Sequence, residues 1–161
     1  MSGKSCFFIG HREVDERLLP ELEKCVVRLI LEEGVSNFYV GGYGGFDRLA
    51  ATAVKKVKAQ HPGIMLMLVL PYHPAERPVM LSPGFDGSYY PDRMEKVPRR
   101  FAIVRANQRM IDCCDWLICY VCHGASNSRN LLEYAKRRSN KGIMQIINLA
   151  NEDDVAKLRN D

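Results

Sequence analysis

The chain has 161 residues, 47% of them hydrophobic and 26% charged, with a formal net charge of +4. That is the length of one domain able to bury a core, and the composition excludes a disordered or collagen-like chain. The charge is a mild bias towards anions, too small to indicate nucleic acid by itself, and no apolar run is long enough to span a membrane.

Ser5-Cys6-Phe7-Phe8-Ile9-Gly10 is apolar without alternation, as in a strand covered on both faces. It is too short for the apolar core of a signal peptide, so a cytoplasmic location is the default expectation. The run ends in Gly10, His11 and Arg12, polar groups placed where an open α/β sheet builds its site; a solvated turn is the plainer reading. Leu18, Leu22, Val26, Leu29 and Ile30 then repeat with helical spacing, Pro20 marking the start and Gly34 the stop.

Asn37-Phe38-Tyr39-Val40 reads as the second strand, and Arg48 to Val57 as a helix with Leu49, Ala50, Ala53, Val54 and Val57 on one face. Between them lie Gly41, Gly42, Gly44 and Gly45, ending in Phe46 and Asp47. A strand-to-helix junction suits an anion, because the first helical turn presents unpaired N–H groups and the positive end of the dipole. Glycine lets that backbone approach a phosphate without a Cβ in the way. The competing reading is a turn that only joins strand to helix.

Ile64 to Leu70 is a third apolar run, stopped by Pro71. From Tyr72 to Pro98 periodicity disappears, which predicts a long irregular loop at about 72–98, a lid, binding loop or mobile insert. It carries Tyr72, His73, Glu76, Phe85, Asp86, Tyr89 and Tyr90, aromatics that either stack on a ring or pin the loop to the surface. Phe101 to Cys114 reads as a helix with Ile103, Ala106, Met110 and Cys114 inward and Asn107 and Arg109 off that stripe. Six Lys/Arg against one Glu between Arg93 and Arg109 make the one candidate basic surface.

Asp115 to Val121 is the fourth strand. A second polar loop, Cys122 to Ser128, contains Gly124, Ser126, Asn127 and Ser128 and precedes a helix through Asn140 with Leu131, Leu132 and Ala135 inward. Its serines and asparagine can cap that helix or donate to a phosphate at its start. Gly142 to Leu149 is the fifth strand, and Asn151 to Asp161 reads as a polar last turn or tail. The alternation predicts one domain over residues 1–161, a three-layer Rossmann-like α/β fold with a parallel sheet of about five strands and helices on both faces. The two polar loops then share one sheet edge, which implies an elongated anionic ligand such as a nucleotide.

Several familiar motifs are absent. No Lys-Ser/Thr pair follows the glycines, a G-x-G-x-x-G started at Gly42 ends on Asp47, and there is no G-x-S-x-G. Of six cysteines, Cys6 and Cys119 fall in strands and Cys25 in a helix, as buried thiols. Cys119-Tyr120-Val121-Cys122-His123 fits a haem-attachment pattern, but its first Cys is inside a strand and no second ligand pair has zinc spacing. No metal and no cofactor are expected.

Phe7 to Arg12, Gly41 to Asp47, Asn107 to Asp112 with Asp115 to Ile118, and Gly124 to Asn130 before Tyr134-Ala135 resemble the YpsA-like branch of the SLOG superfamily, in order and over nearly the whole chain. That superfamily groups Rossmann-like domains with the cytokinin-activating phosphoribohydrolases (LOG) and DNA-processing protein A. The resemblance implies a nucleotide or nucleotide-derived ligand, nucleotide signalling or phage conflict in some members, and a homodimer. The LOG motif P-G-G-x-G-T-x-x-E is broken here, with Gly45 in place of Thr and Arg48 in place of the catalytic Glu. His123 to Asn127, its counterpart after the fourth strand, also lacks the Glu. The G-x-x-x-G-I-D of DNA-processing protein A matches Gly41, Gly45, Phe46 and Asp47.

Three functions compete. The leading one is a sensor or carrier of a nucleotide-derived small molecule, with Arg12 and Arg109 pairing with phosphate and Asp47 ordering the loop or accepting from a ribose hydroxyl. The second cleaves an N-glycosidic bond, with Asp47, Glu76 or Glu133 as the carboxylate and His11 or His73 as the acid. A single-stranded nucleic-acid binder on the Arg93–Arg109 face ranks last, because aromatics interleave poorly with those charges along the chain. Nucleic acid and membrane are therefore not expected as partners.

Overall fold

The structure, a computed structural model, describes residues 3–122 and 126–159. In chain order its elements are β1 (Lys4–Gly10), α1 (Leu19–Glu33), β2 (Val35–Val40), α2 (Gly45–Lys58), β3 (Met65–Val69), β4 (Gly87–Tyr89), α3 (Ala102–Cys113), β5 (Trp116–Tyr120), α4 (Asn127–Asn140), β6 (Gln145–Asn148) and α5 (Glu152–Arg159). The strands form one sheet in the order β4-β3-β2-β1-β5-β6, every pair parallel. This is the Rossmann-like α/β architecture expected from the alternation of apolar runs.

The missing alternation in those runs has a direct cause. Cys6 and Phe8 of β1 point into a core shared with α1 and α2, while Phe7 and Ile9 point into one shared with α3 and α4. Both faces of a central strand are covered, so every position must be apolar. Helix α1 carries Pro in its first turn and ends on Gly34, whose φ of 72° is the left-handed conformation a helix stop favours. No helix among the described residues is long and apolar enough to cross a membrane.

Three features differ from expectation. The sheet has six strands, because the long stretch after β3 contains β4, paired Met67 to Gly87 through Val69 to Tyr89. Nor is that stretch a detached lid. Lys55 Nζ reaches Ser82 Oγ at 3.1 Å and lies over the Phe85 ring, and Lys58 Nζ bonds both Asp86 oxygens at 2.7 and 2.9 Å. Asp86 in turn accepts the Leu66 amide at 2.8 Å, so residues 82–86 are tied along α2 and delivered to the sheet edge. Finally, the polar C-terminal segment forms α5. Asn151 Oδ1 caps it by accepting the Asp153 and Asp154 amides, and Val155 and Leu158 pack on the α1–α2 core.

Candidate functional site

Because all strands are parallel, the loops after β1, β2, β3, β4 and β5 meet at one rim, the carboxyl edge of the sheet. The strand order reverses between β1 and β5, and an open α/β sheet has its crevice at such a point. Here His11 braces the two strand ends. Its amide donates to Tyr120 O at 3.3 Å, its Nε2 accepts the Cys122 amide at 2.8 Å, and its ring meets Tyr120 edge-on. Ser128 Oγ completes the brace by donating to Gly10 O at 2.8 Å.

The glycine loop lies on this rim, yet much of its backbone is already bonded. The Gly45 amide donates to Arg12 O at 2.7 Å and the Phe46 amide to His11 O at 3.2 Å. The Tyr43 amide donates to Asp47 Oδ2 at 2.9 Å. A Cβ on Gly45 would fall well inside contact distance of Arg12 O, and one on Gly10 would meet the Phe46 ring. Gly44, at φ 118°, lies against the Arg12 backbone. The glycines thus let the β1 loop seat itself on the start of α2, while Gly41 and Gly42 stay at the surface side of the turn. Phe46, fully buried beneath, contributes roughly 2–3 kcal/mol by leaving water. Arg12 is exposed and shares a cavity of about 440 Å³ with Arg48, Glu13 and Glu16, whose charges cancel.

The start of α4 is arranged differently. Ser126 Oγ accepts the Arg129 amide at 3.1 Å, and Ser126 O accepts that of Asn130. The Asn127 and Ser128 amides have no partner among the described residues. They are the open donors of a helix beside the β1–β5 crevice. Gly124 lies outside the described residues.

The three carboxylates named as catalytic candidates have separate surroundings. Asp47 is half-buried, and burial pushes its carboxyl up to about 6 against the opposing pull of the Tyr43 amide and Arg48. Glu76 is exposed and paired with Arg99. Glu133 is exposed on α4, between Arg129 at 3.6 Å and Lys136 at 3.2 Å. No hydrogen bond or ion pair joins any two of the three. His73 Nδ1 accepts the Ala75 amide, and its ring packs on Tyr90.

Sequence reasoning missed a cluster on the same rim. The Arg77 guanidinium lies 4.2 Å from the Tyr72 ring centre and that of Arg99 lies 5.8 Å away, while Arg100 lies 4.8 Å from the Phe101 ring. Tyr43 of the glycine loop belongs to this group: its hydroxyl, raised first by burial, also feels Tyr72 and Arg77. Tyr43 is 39% and Phe101 48% exposed, so rings and cations of this group share an accessible surface. Residues 43, 72, 77 and 99–101 are too far apart in the chain for spacing to reveal this. Asn107 and Arg109 sit farther along α3, and Arg109 turns towards α4 rather than the rim.

No family model and no curated relative matches the chain. Solved structures do. DNA processing protein A (DprA) from Streptococcus pneumoniae aligns with a TM-score of 0.60 and 18% identity over 98% of this chain. This chain spans only 56% of that protein's length. DNA processing protein A from Helicobacter pylori, whose structure describes a single-stranded DNA binding mode, aligns with a TM-score of 0.55 and 16% identity, covering 99% of this chain and 82% of its own. The expectation that nucleic acid is no partner is corrected by that second structure, since a protein of this fold binds single-stranded DNA. Its physical premise also fails, because aromatics and cations poorly interleaved in the chain are interleaved in space. At these identities the likeness carries the architecture: the chain has the Rossmann-like fold found in DNA processing protein A.

Proposed function

We propose that this protein binds single-stranded nucleic acid along the carboxyl rim of its sheet. The observation that carries the reading is the gathering of Arg77 and Arg99 at the Tyr72 ring, 4.2 and 5.8 Å from its centre, with Tyr43 and Phe101 exposed. Every base has a π face, and stacking on an aromatic side chain contributes about 1–3 kcal/mol per base whatever the sequence. The Arg77 and Arg100 guanidinium groups beside these rings can meet phosphates in a two-pronged geometry, whereas the edge of Arg99 is held by Glu76. The open Asn127 and Ser128 amides supply a further phosphate seat. The Helicobacter pylori protein, which shares this fold, supports the same partner class. The motifs at Gly41–Asp47 and Asn107–Asp112 support membership of the SLOG superfamily and, within it, the YpsA-like branch.

A second reading rests on the α4 start alone: two amides without a partner among the described residues, at the strand-order reversal, suit the phosphate of one nucleotide-derived molecule. N-glycosidic cleavage draws no comparable support, since Asp47, Glu76 and Glu133 are bonded in three separate places.

Fluorescence anisotropy with a labelled single-stranded oligonucleotide tests the proposal. The strand should bind more tightly than a duplex, and its log affinity should fall with log salt at about −0.7 per phosphate contacted. Replacing Arg77 and Arg100 by Gln should weaken it. A nucleoside monophosphate that binds as tightly as the strand would favour the second reading. No strand binding at about 50 mM salt would reject the first.

A further inference from the structure

Arg109 of α3 and Arg138 of α4 share an anomaly away from the rim: the Nε–H of each is buried without a hydrogen-bond partner. Neither guanidinium is ion-paired among the described residues. Both belong to the seam between the two helices. Tyr134 of α4 donates its hydroxyl to Asp112 Oδ1 of α3 at 2.8 Å, and both guanidinium groups lie within electrostatic reach of that hydroxyl. Residues 109 and 112 are three apart on α3, and 134 and 138 are four apart on α4, so each pair lies on one helix face. Arg137 adds a third cation, 5.7 Å from the Tyr134 ring. Three guanidinium groups thus gather about Tyr134, whose hydroxyl occupies Asp112, and none of them is ion-paired with that carboxylate among the described residues.

Buried charged donors left unpaired are costly and rare, and two in one seam call for an acceptor. We propose that the α3–α4 seam is an anion site, holding a phosphate-type oxyanion between Arg109 and Arg138. The oxyanion is tetrahedral and multiply accepting, which suits two guanidinium edges approaching from facing helices. Free phosphate and the phosphodiester of a strand passing beyond the rim present the same chemistry.

Thermal unfolding of the full chain in inorganic phosphate, at constant ionic strength against chloride, tests the site. The wild type should show a saturable rise in Tm, about 5–10 °C at a hundredfold excess over Kd. Arg109→Gln and Arg138→Gln should lose the rise, and Arg138→Lys should keep part of it. Arg138→Met controls for folding: without phosphate its Tm should hold or rise, because an unpaired buried donor has gone. A fall would mean that the guanidinium supports the fold, and would overturn the site. So would the absence of a saturable rise in the wild type, or an equal rise in the Gln variants. Labelled oligonucleotide then identifies the source: weaker strand binding in Arg138→Gln assigns a phosphodiester, and unchanged binding assigns free phosphate. Arg77→Gln on the rim should leave the phosphate response intact, so the rim reading can fail without this one.

Discussion

Helices α2 and α4 both begin at the carboxyl rim after a polar, glycine-containing loop, yet the two starts are open to different degrees. At α2 the Gly45 and Phe46 amides are taken by the Arg12 and His11 carbonyls, and Asp47 holds the Tyr43 amide. At α4 the Ser126 cap takes one amide, and those of Asn127 and Ser128 have no partner among the described residues. The richer glycine loop is thus the more closed of the two. Absence of a Cβ serves close packing of two protein segments as well as close approach of a phosphate, and residue type alone does not say which.

The sharpest way to break this contrast is Gly45→Ala. Its Cβ would press on the Arg12 carbonyl, backbone that has little room to yield, so stability should fall by about 3 kcal/mol, seen in the denaturant midpoint. Gly42→Ala, whose Cβ meets only Leu68 Cδ1 at 3.6 Å, should cost under about 1 kcal/mol, and equal losses at the two would contradict the packing role. Next in size is Tyr72→Ala. Strand affinity should drop by about 2 kcal/mol with the fold intact, measured by anisotropy.

Asp47 sharpens the comparison through pH. Its folded carboxyl titrates at about 6, raised first by burial, whereas an unfolded one titrates near ~3.9. Between those values the native state holds the extra proton, so this group's contribution to stability is greatest below about pH 4 and declines as pH rises through 6. The decline is on the order of 3 kcal/mol. Asp47→Asn should remove it, so variant and wild type should diverge in favour of the variant between about pH 4 and 7 in chemical denaturation. A pH-independent difference would mean an ordinary carboxyl. The smallest effect belongs to Ser126→Ala, which removes the α4 cap and should cost about 1 kcal/mol of stability.

The sheet and its helices were legible because burial on both faces leaves long apolar runs, as in Cys6–Ile9 and Leu117–Cys119. Strand β4 was not, since Gly87-Ser88-Tyr89 has no apolar run and owes its place to the Lys58–Asp86 pair and the Leu66 amide. The start of α5 did leave a signal, Asn151 before Glu152-Asp153-Asp154, an N-cap followed by an acidic first turn. At the site, spacing located both rim loops but gave no sign of which amides protein groups would occupy. That depends on His11 and Arg12, more than thirty residues before Gly45 in the chain. The Tyr72–Arg77–Arg99 group was hidden for the same reason, being assembled by the fold from an irregular loop and the turn before α3.

Amide resonances followed during titration with a single-stranded oligonucleotide test the contrast between the two helix starts most directly. Asn127 and Ser128 should shift progressively while Gly45 and Phe46 stay in place. Movement of Gly45 and Phe46 with Asn127 and Ser128 unmoved would put the phosphate at the start of α2 and contradict the assignment of the open start to α4.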